Sequence, residues 1–310
     1  MKRLVLVVGV GRSGTSLLAG ILGQLGFHIP QPEVVADETN PKGFGEPRWV
    51  VDFHTRLMRR LRVIVFDARP VAFEKTASVD DDEELRAWLA GELAQADDLV
   101  VKDPRIGWFL GLWQRCCDQL GARTSQITML RHPAEILASA RKNYGNWQSD
   151  ASRAAAWLNV MLETERSTRG APRVYIRYED LLADWREQVS RAGGTLDLPL
   201  LTDIAPDRAA AVEAFVDPSL HRHRVGWGEL DVPASVRYLC DEAWTAFGRL
   251  ADGEDVAAEL DDAVVRYRIL YREAEAISQP SVTAVRPRKK AAPPTLRLKV
   301  MRRLRRLAAR

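Results

Sequence analysis

Short apolar runs alternate with longer amphipathic stretches along the first two thirds of the chain. Four of the runs are rich in β-branched residues, as expected of parallel strands buried on both faces, and predict strands at 4–8, 99–102, 127–130 and 173–177. A helical period predicts helices near 15–25, 48–61, 82–96, 107–120, 133–142, 151–168 and 180–192. This alternation indicates an α/β fold, a doubly wound parallel sheet flanked by helices.

The pattern changes toward the C-terminus. After Gly193 it is mostly helical, most clearly at 209–215, 235–250 and 255–277. From Gln279 onward Pro, Lys, Arg and Ala dominate, and the Ala-Ala-Pro-Pro run ending at Pro294 cannot extend a helix. We therefore predict three parts: a domain at 1–279, a linker at 280–294 and a tail at 295–310.

Charge is divided unevenly between these parts. Eleven of the 45 basic residues and none of the 42 acidic residues follow Glu275, so residues 1–275 hold 34 basic against 42 acidic side chains. An acidic body argues against nucleic acid as the main partner. A helix over 295–310 would put its apolar side chains on one face and most of its seven basic residues on the other. Such a face predicts peripheral contact with an anionic membrane.

Nothing in the sequence indicates export. Cys116, Cys117 and Cys240 contain no Cys-x-x-Cys pair and suit a reducing compartment. The charged start and apolar run resemble a secretory signal, but the run ends at Gly9 and Arg12 stands where it should continue. No stretch approaches the roughly eighteen apolar residues of a transmembrane helix. We expect a cytoplasmic protein, in part at the inner face of the membrane.

The predicted first strand leads directly into a glycine-rich turn, Gly-Val-Gly-Arg-Ser-Gly-Thr-Ser at 9–16, and then into an apolar helical pattern. A turn of this kind points backbone N–H groups and a helix N-terminus at an anion, so it predicts a phosphate site. Thr15 stands where a Walker A loop has its phosphate-binding lysine, which argues against a nucleoside triphosphatase. The Gly-x-Gly-x-x-Gly match leaves a dinucleotide site open, with Glu33 at about the distance of a ribose-binding acid.

Residues 12–16, Arg-Ser-Gly-Thr-Ser, resemble the first phosphate loop of the sulfotransferase family, which often reads Gly-x-x-(Lys or Arg)-Ser-Gly-Thr-(Ser or Thr). The resemblance implies a P-loop-like turn that holds 3′-phosphoadenosine-5′-phosphosulfate (PAPS), and transfer of its sulfuryl group to an acceptor hydroxyl. It assigns the 5′-phosphosulfate to Gly11, Arg12, Ser13, Gly14, Thr15 and Ser16.

The family's second signature is an Arg at the end of a strand and a Ser eight residues later, which together hold the 3′-phosphate. Arg131 and Ser139 match it, and Pro133 suits the first turn of the intervening helix. The segments 178–182 and 215–224 also resemble bacterial members. By this resemblance Arg222 and Arg224 would close over the 3′-phosphate.

The predicted second strand ends at Lys102, on the edge where ligands of open α/β sheets bind. Cytosolic sulfotransferases have a histidine base shortly after this lysine, where this chain has Pro104. Carbohydrate-modifying and many bacterial relatives use a glutamate in a stretch similar to 40–46, which implies Glu46 as the base, with His54 as the alternative. The predicted catalytic residues are Glu46, Arg12 and Lys102.

No His, Cys or carboxylate cluster has metal-ligand spacing, so no metal is expected. Family analogy suggests a small-molecule, saccharide or glycolipid acceptor. Two other functions stay open: a Rossmann-type NAD(P)-dependent oxidoreductase, and a non-catalytic nucleotide-binding protein recruited to membranes.

Overall fold

A computed structural model of the chain describes residues 1–38, 40, 42–80, 82–145, 147–217 and 226–285, with side chains as far as 279. Within these residues, one sheet is formed by β1 (Arg3–Val8), β2 (Asp98–Lys102), β3 (Arg123–Leu130) and β4 (Arg173–Arg177). Its strands are all parallel, in the order β2-β1-β3-β4. The chain first adds β2 on one side of β1 and then β3 and β4 on its other side. A crevice therefore lies between the carboxyl ends of β1 and β3, where the direction of the connections reverses.

Helices fill the intervals between strands and the C-terminal part. They are α1 (Thr15–Gln24), α2 (Arg48–Leu61), α3 (Val71–Ala77), α4 (Asp82–Gln95), α5 (Leu110–Gln119), α6 (Pro133–Tyr144), α7 (Asp150–Thr168), α8 (Tyr178–Ala183), α9 (Trp185–Leu196), α10 (Pro199–Thr202), α11 (Pro206–Phe215), α12 (Ala234–Ala251) and α13 (Ala257–Val285). This confirms the predicted α/β class and the helical C-terminal part.

Both faces of the sheet are covered, as the continuous apolar strands predict. Val5 and Val7 of β1 pack with α1, α8, α9 and α11 in one buried cluster. Leu4 and Leu6 point to the opposite face because successive strand side chains alternate, and they are fully buried too. On that side, α5 and α7 contact each other, α5 contacts β3 and α12 contacts β4. The sheet is thus a rigid two-sided core from which the loops at its carboxyl edge project.

Some boundaries differ from the predicted ones for local reasons. β3 begins at Arg123, four residues before the predicted start. The apolar run did not extend that far, because Thr124 and Gln126 are polar although they are buried. The stretch predicted at 180–192 is two helices, separated at Asp184, whose carboxylate accepts from the N–H of Glu187 and caps α9. The helices α3 and α10 have seven and four residues, too few for a period to show.

The chain divides into two compact units, Met1–Arg268 and Ile269–Arg310. The first contains the sheet. In the second, α13 continues to Val285, which includes the first residues of the segment predicted as a linker. The rest of that segment and the tail at 295–310 lie outside the described residues. None of the described helices is both long and apolar enough to cross a membrane.

The three cysteines are buried and unpaired. Burial raises the pKa of Cys116 to about 11 and that of Cys117 to about 12. Burial also raises the pKa of Cys240. All three are therefore protonated, weakly reactive thiols near neutral pH.

Candidate active site

The turn at 9–16 connects β1 to α1 as predicted, and three of its residues have positive φ angles: Gly9, Arg12 and Gly14. Gly14 has a φ of 95°, and a Cβ there would stand 2.3 Å from the Tyr178 ring, so only glycine fits. Arg12 has a φ of 77°, a left-handed conformation that costs a non-glycine residue about 1–3 kcal/mol. The turn therefore keeps a conformation that reduces the stability of the fold, as functional sites often do.

Helix α1 begins at Thr15, within this segment, with no side-chain cap at Gly14. The first N–H groups of a helix lack intrahelical acceptors, and here they belong to Thr15, Ser16 and Leu17, which all line a cavity. The N-terminus of α1 can therefore bind an anion in that cavity.

The cavity has a volume of about 720 Å³ and lies at the carboxyl edge of the sheet. Among the described residues that line it, six are cationic: Arg12, Lys42, Lys102, Arg105, Arg131 and Lys142. Two are anionic, Glu38 and Glu46. This excess of positive charge occurs within a body whose acidic residues outnumber its basic ones. The cavity is thus electrostatically suited to a ligand with several negative charges.

The second predicted phosphate site lies beside the first. Pro133 occupies the first turn of α6, and Ser139 is buried two turns along it. Arg12 Nε donates to Ser139 Oγ at 3.0 Å, and Arg131 Nη1 donates to the carbonyl oxygen of Arg12 at 3.1 Å. The Arg131 guanidinium also lies 4.5 Å from the centre of the Tyr178 ring. The structure therefore brings Arg12, Arg131 and Ser139 together around one end of the cavity.

Most of the predicted nucleotide-binding residues line this cavity: Gly11, Arg12, Gly14, Thr15, Ser16, Arg131 and Ser139. Ser13 does not. Its backbone N–H donates to Val10 O at 3.1 Å, and its buried hydroxyl oxygen lies 2.7 Å from the position of a Cβ on Gly9. Ser13 therefore supports the turn from behind. Arg222 and Arg224 lie outside the described residues.

A buried ion pair joins the predicted base to the turn. Lys102 Nζ donates to Glu46 Oε1 at 2.6 Å and to Ser16 Oγ at 3.1 Å. The exposed fractions are 2% for Lys102 and 8% for Glu46. One ammonium group thus holds both a carboxylate and a hydroxyl of the anion-binding turn.

His54 is fully buried and does not line the cavity. Its Nδ1 is 2.7 Å from Asp103 Oδ2, and Trp113 Nε1 donates to its Nε2 at 3.0 Å, so the proton lies on Nδ1. Burial favours a raised pKa for Asp103, but the hydrogen bond from His54 and the charge of Arg105 outweigh burial and hold that pKa below its ordinary value. His54 therefore fixes the segment that follows Lys102, and the geometry does not favour it as the base.

The structure also places residues in the cavity that the sequence did not single out, among them Phe66, Lys142, Tyr144 and Trp147. They come from a loop before α3, from α6 and from the segment after α6. No motif marks them. Tyr178 belongs to a segment noted for its resemblance, but its role beneath Arg131 and against Gly14 depends on packing.

Glu33, the acid that would bind a dinucleotide ribose, does not line the cavity of the turn. It lines a neighbouring cavity of about 350 Å³, which shares Ser16 and Lys42 with the first, and its carboxylate accepts from Gln31 Nε2 at 2.8 Å. Glu33 therefore does not face the main cavity of the turn, as the dinucleotide alternative requires of its ribose-binding acid.

No family model and no curated protein matches the chain. Among solved structures, it is similar to the sulfotransferase STF1 from Mycobacterium tuberculosis H37Rv, with 16% identity, 69% of this chain and 71% of that chain covered, and a TM-score of 0.41. The sulfotransferase domain from the curacin biosynthetic pathway has 16% identity, covers 79% of this chain and 98% of its own, and has a TM-score of 0.44. The sulfotransferase domain from the Synechococcus PCC 7002 olefin synthase has 19% identity, coverages of 80% and 96%, and a TM-score of 0.44.

All three structural neighbours are sulfotransferases. Residues 12–16 of this chain resemble the first phosphate loop of the same family. Because the identities are 16–19% and the TM-scores are 0.41–0.44, these likenesses carry no argument about function, which rests on the residues of this chain.

Proposed function

We propose that this protein is a PAPS-dependent sulfotransferase that acts on an acceptor hydroxyl. The observation that carries the proposal is the Lys102 ammonium group bonded to both Glu46 and Ser16. A carboxylate lowers the affinity of a neighbouring site for anions, since like charges repel. Its buried position inside a cationic cavity therefore fits a chemical task better than simple binding.

The residues of the site match the needs of sulfuryl transfer. When bound, PAPS supplies an activated sulfuryl group on a phosphate leaving group. The N-terminus of α1 and Arg12 would hold the phosphosulfate, and Arg131 with Ser139 the 3′-phosphate. Arg222 and Arg224 stay proposed partners of that phosphate by resemblance.

The reacting groups would lie on the Lys102 side of the cavity. Lys102 would neutralise charge on the oxygen that bridges phosphate and sulfur. Glu46 would accept the proton of the acceptor hydroxyl while the oxygen of that hydroxyl bonds to sulfur and the bridging S–O bond of the donor breaks. The products would be the sulfate ester and adenosine 3′,5′-bisphosphate, so the step needs no metal or redox partner.

Two measurements test this function. Isothermal titration should show binding of adenosine 3′,5′-bisphosphate and much weaker binding of NAD and NADP. Mass spectrometry after incubation with PAPS and cell-envelope extracts should show a product heavier by one SO₃ group. Tight binding of NADP without binding of the bisphosphate would support an oxidoreductase, and bisphosphate binding without turnover on any acceptor would indicate a non-catalytic protein.

A further inference from the structure

Arg105 lines the cavity but belongs to neither of the two predicted phosphate sites. Its side chain is half-buried, and its guanidinium group forms an ion pair with Asp103. Arg105 Nη1 donates to Asp103 Oδ1 at 2.7 Å, and the backbone N–H of Arg105 donates to the same oxygen at 3.1 Å. A guanidinium group has five N–H donors in a fixed plane, so it can hold Asp103 and an anionic ligand at the same time.

Asp103 is in turn fixed from the interior of the fold. The exposed fraction is 1% for Asp103 and 0% for His54. Asp103 Oδ2 accepts from His54 Nδ1 at 2.7 Å, and His54 Nε2 accepts from Trp113 Nε1 at 3.0 Å. Because Arg105 bonds to Oδ1 whereas His54 bonds to Oδ2, the direction of the Arg105 side chain depends directly on Asp103. A cation held in this way loses little conformational freedom when a ligand binds.

The order of the strands places Arg105 on the side of the proposed reacting groups. β1, which carries the anion-binding turn, lies between β2 and β3. Arg131 follows β3, whereas Lys102 ends β2 and Arg105 comes three residues later. Neighbouring strands are about 4.8 Å apart, so the ends of β2 and β3 are about 10 Å apart. Pro104 Cβ is 4.0 Å from the position of a Cβ on Gly11, so the segment after β2 packs directly against the turn.

The chemistry on this side of the cavity involves a group with several oxygens. The sulfuryl group has three oxygens that do not bridge to phosphate, and donors that are fixed in advance can bind such oxygens without reorganisation. Lys142 also lines the cavity, but it is exposed on α6, and an exposed lysine keeps most of its rotamer freedom. Arg105 is anchored to a buried carboxylate and is therefore better suited to this task.

We propose that Arg105 is a further catalytic residue, which donates hydrogen bonds to the non-bridging oxygens of the sulfuryl group, and that Asp103 is its positioning residue. The proposal rests on the proposed sulfotransferase function. Arg105 would transfer no proton. The acceptor oxygen bonds to sulfur, its proton goes to Glu46, and the electron pair of the bridging S–O bond leaves with the phosphate. Fixed donors would keep the sulfuryl group in line between the acceptor and the leaving oxygen.

The test compares two ligands that differ by one SO₃ group, PAPS and adenosine 3′,5′-bisphosphate. Titration calorimetry without an acceptor gives the dissociation constant of each, and the ratio of the two constants reports contacts to the sulfuryl group. The proteins are the full chain, Arg105→Ala, Arg105→Lys, Asp103→Asn and Lys142→Ala. Lys142 is the matched control because it is a cation that also lines the cavity. Arg105→Lys keeps a positive charge beside Asp103, and it decides by the same ratio if Arg105→Ala does not fold.

We expect Arg105→Ala to weaken PAPS binding by about 10- to 100-fold more than bisphosphate binding, the range for loss of a charged hydrogen bond. Arg105→Lys should have a smaller effect of the same kind, because an ammonium group lacks the planar fork. Asp103→Asn keeps the shape but weakens the ion pair, so it should shift the ratio by about three- to tenfold. Lys142→Ala should weaken binding of both ligands by the same factor.

A ratio that stays at the full-chain value in Arg105→Ala would overturn the proposal. So would a shift in Lys142→Ala as large as that in Arg105→Ala, because the effect would then be one of general charge. An unchanged ratio in Asp103→Asn, even with lowered stability, would remove Asp103 from the positioning role. Failure of the full chain to bind either nucleotide would instead count against the sulfotransferase function itself.

Discussion

At the scale of single residues, the site depends on where two opposite charges stand. Lys102 and Glu46 are both nearly inaccessible, and each would be costly to bury without the other. Their pairing puts a carboxylate oxygen at the anion-binding turn without a large net charge. A substitution of either partner therefore reports on catalysis, and not on folding, only when the new side chain has the same shape as the old one.

Replacing Glu46 by Gln keeps the shape and a hydrogen-bonding oxygen for Lys102 but removes the basic oxygen. We expect kcat with PAPS to fall by about 10²–10⁴, the range for loss of a general base. Affinity for adenosine 3′,5′-bisphosphate should stay equal or rise, because a negative charge leaves the cavity. Steady-state kinetics and titration calorimetry measure the two effects, and unchanged kcat would remove Glu46 from the catalytic role.

His54→Ala tests the alternative base. The change removes hydrogen bonds to Asp103 and Trp113 in the interior, so we expect the free energy of unfolding to fall by about 2–4 kcal/mol. The protein that stays folded should keep kcat within about threefold of wild type, far from the range for loss of a general base. Urea denaturation and kinetics below the unfolding transition measure this. Normal stability with lost activity would make His54 the base.

Arg131 is expected to recognise the 3′-phosphate. Arg131→Ala should weaken binding of adenosine 3′,5′-bisphosphate by about 1.5–3 kcal/mol and binding of 5′-AMP much less. Arg131 also supports the Arg12 carbonyl, so Ser139→Ala serves as a milder second variant with a smaller loss of the same kind. Arg141→Ala is the control, since Arg141 lies on α6 outside the cavity lining. Equal losses for both nucleotides would contradict the assignment.

At the scale of elements, the loop between α2 and α3 has a buried carboxylate, Asp67, as well as buried apolar side chains. Asp67→Ala removes hydrogen bonds to two backbone N–H groups and to a guanidinium group. We expect a loss of about 2–3 kcal/mol in the free energy of unfolding, measured by urea denaturation. The exposed Asp80, changed to Ala, should stay within about 0.5 kcal/mol of wild type. Equal stability of the two variants would show that Asp67 does not fix the loop.

At the scale of the whole molecule, the basic residues after Glu275 contrast with the acidic body, and we propose that they bring the protein to an anionic membrane surface. Seven basic residues at 295–310, at about 1 kcal/mol each near such a surface, suffice for reversible binding. Deleting 286–310 keeps α13 and should abolish co-sedimentation with anionic liposomes while turnover of a soluble acceptor continues. Equal co-sedimentation of the full chain and the truncated protein, at low and at physiological salt, would contradict membrane binding by the tail.

The sequence by itself determined what depends on neighbours along the chain. The buried strands, the α/β alternation and the turn at 9–16 each have a local pattern, because strand and helix periods and glycine conformations act over a few residues. The match of Arg131 and Ser139 has the same local origin, since a strand end and two helical turns fix their spacing.

Only the tertiary structure decided which distant groups meet. Glu46 and Lys102 are separated by 56 positions, and His54 and Trp113 by 59. No local pattern in the sequence shows that the first pair lines the cavity and the second does not. The cavity likewise brings together a loop before α3 and the segment after α6, which are joined by a hydrogen bond between residues 82 positions apart. Such contacts arise because parallel strands bring their carboxyl ends to one edge of the sheet, whatever the chain length between them.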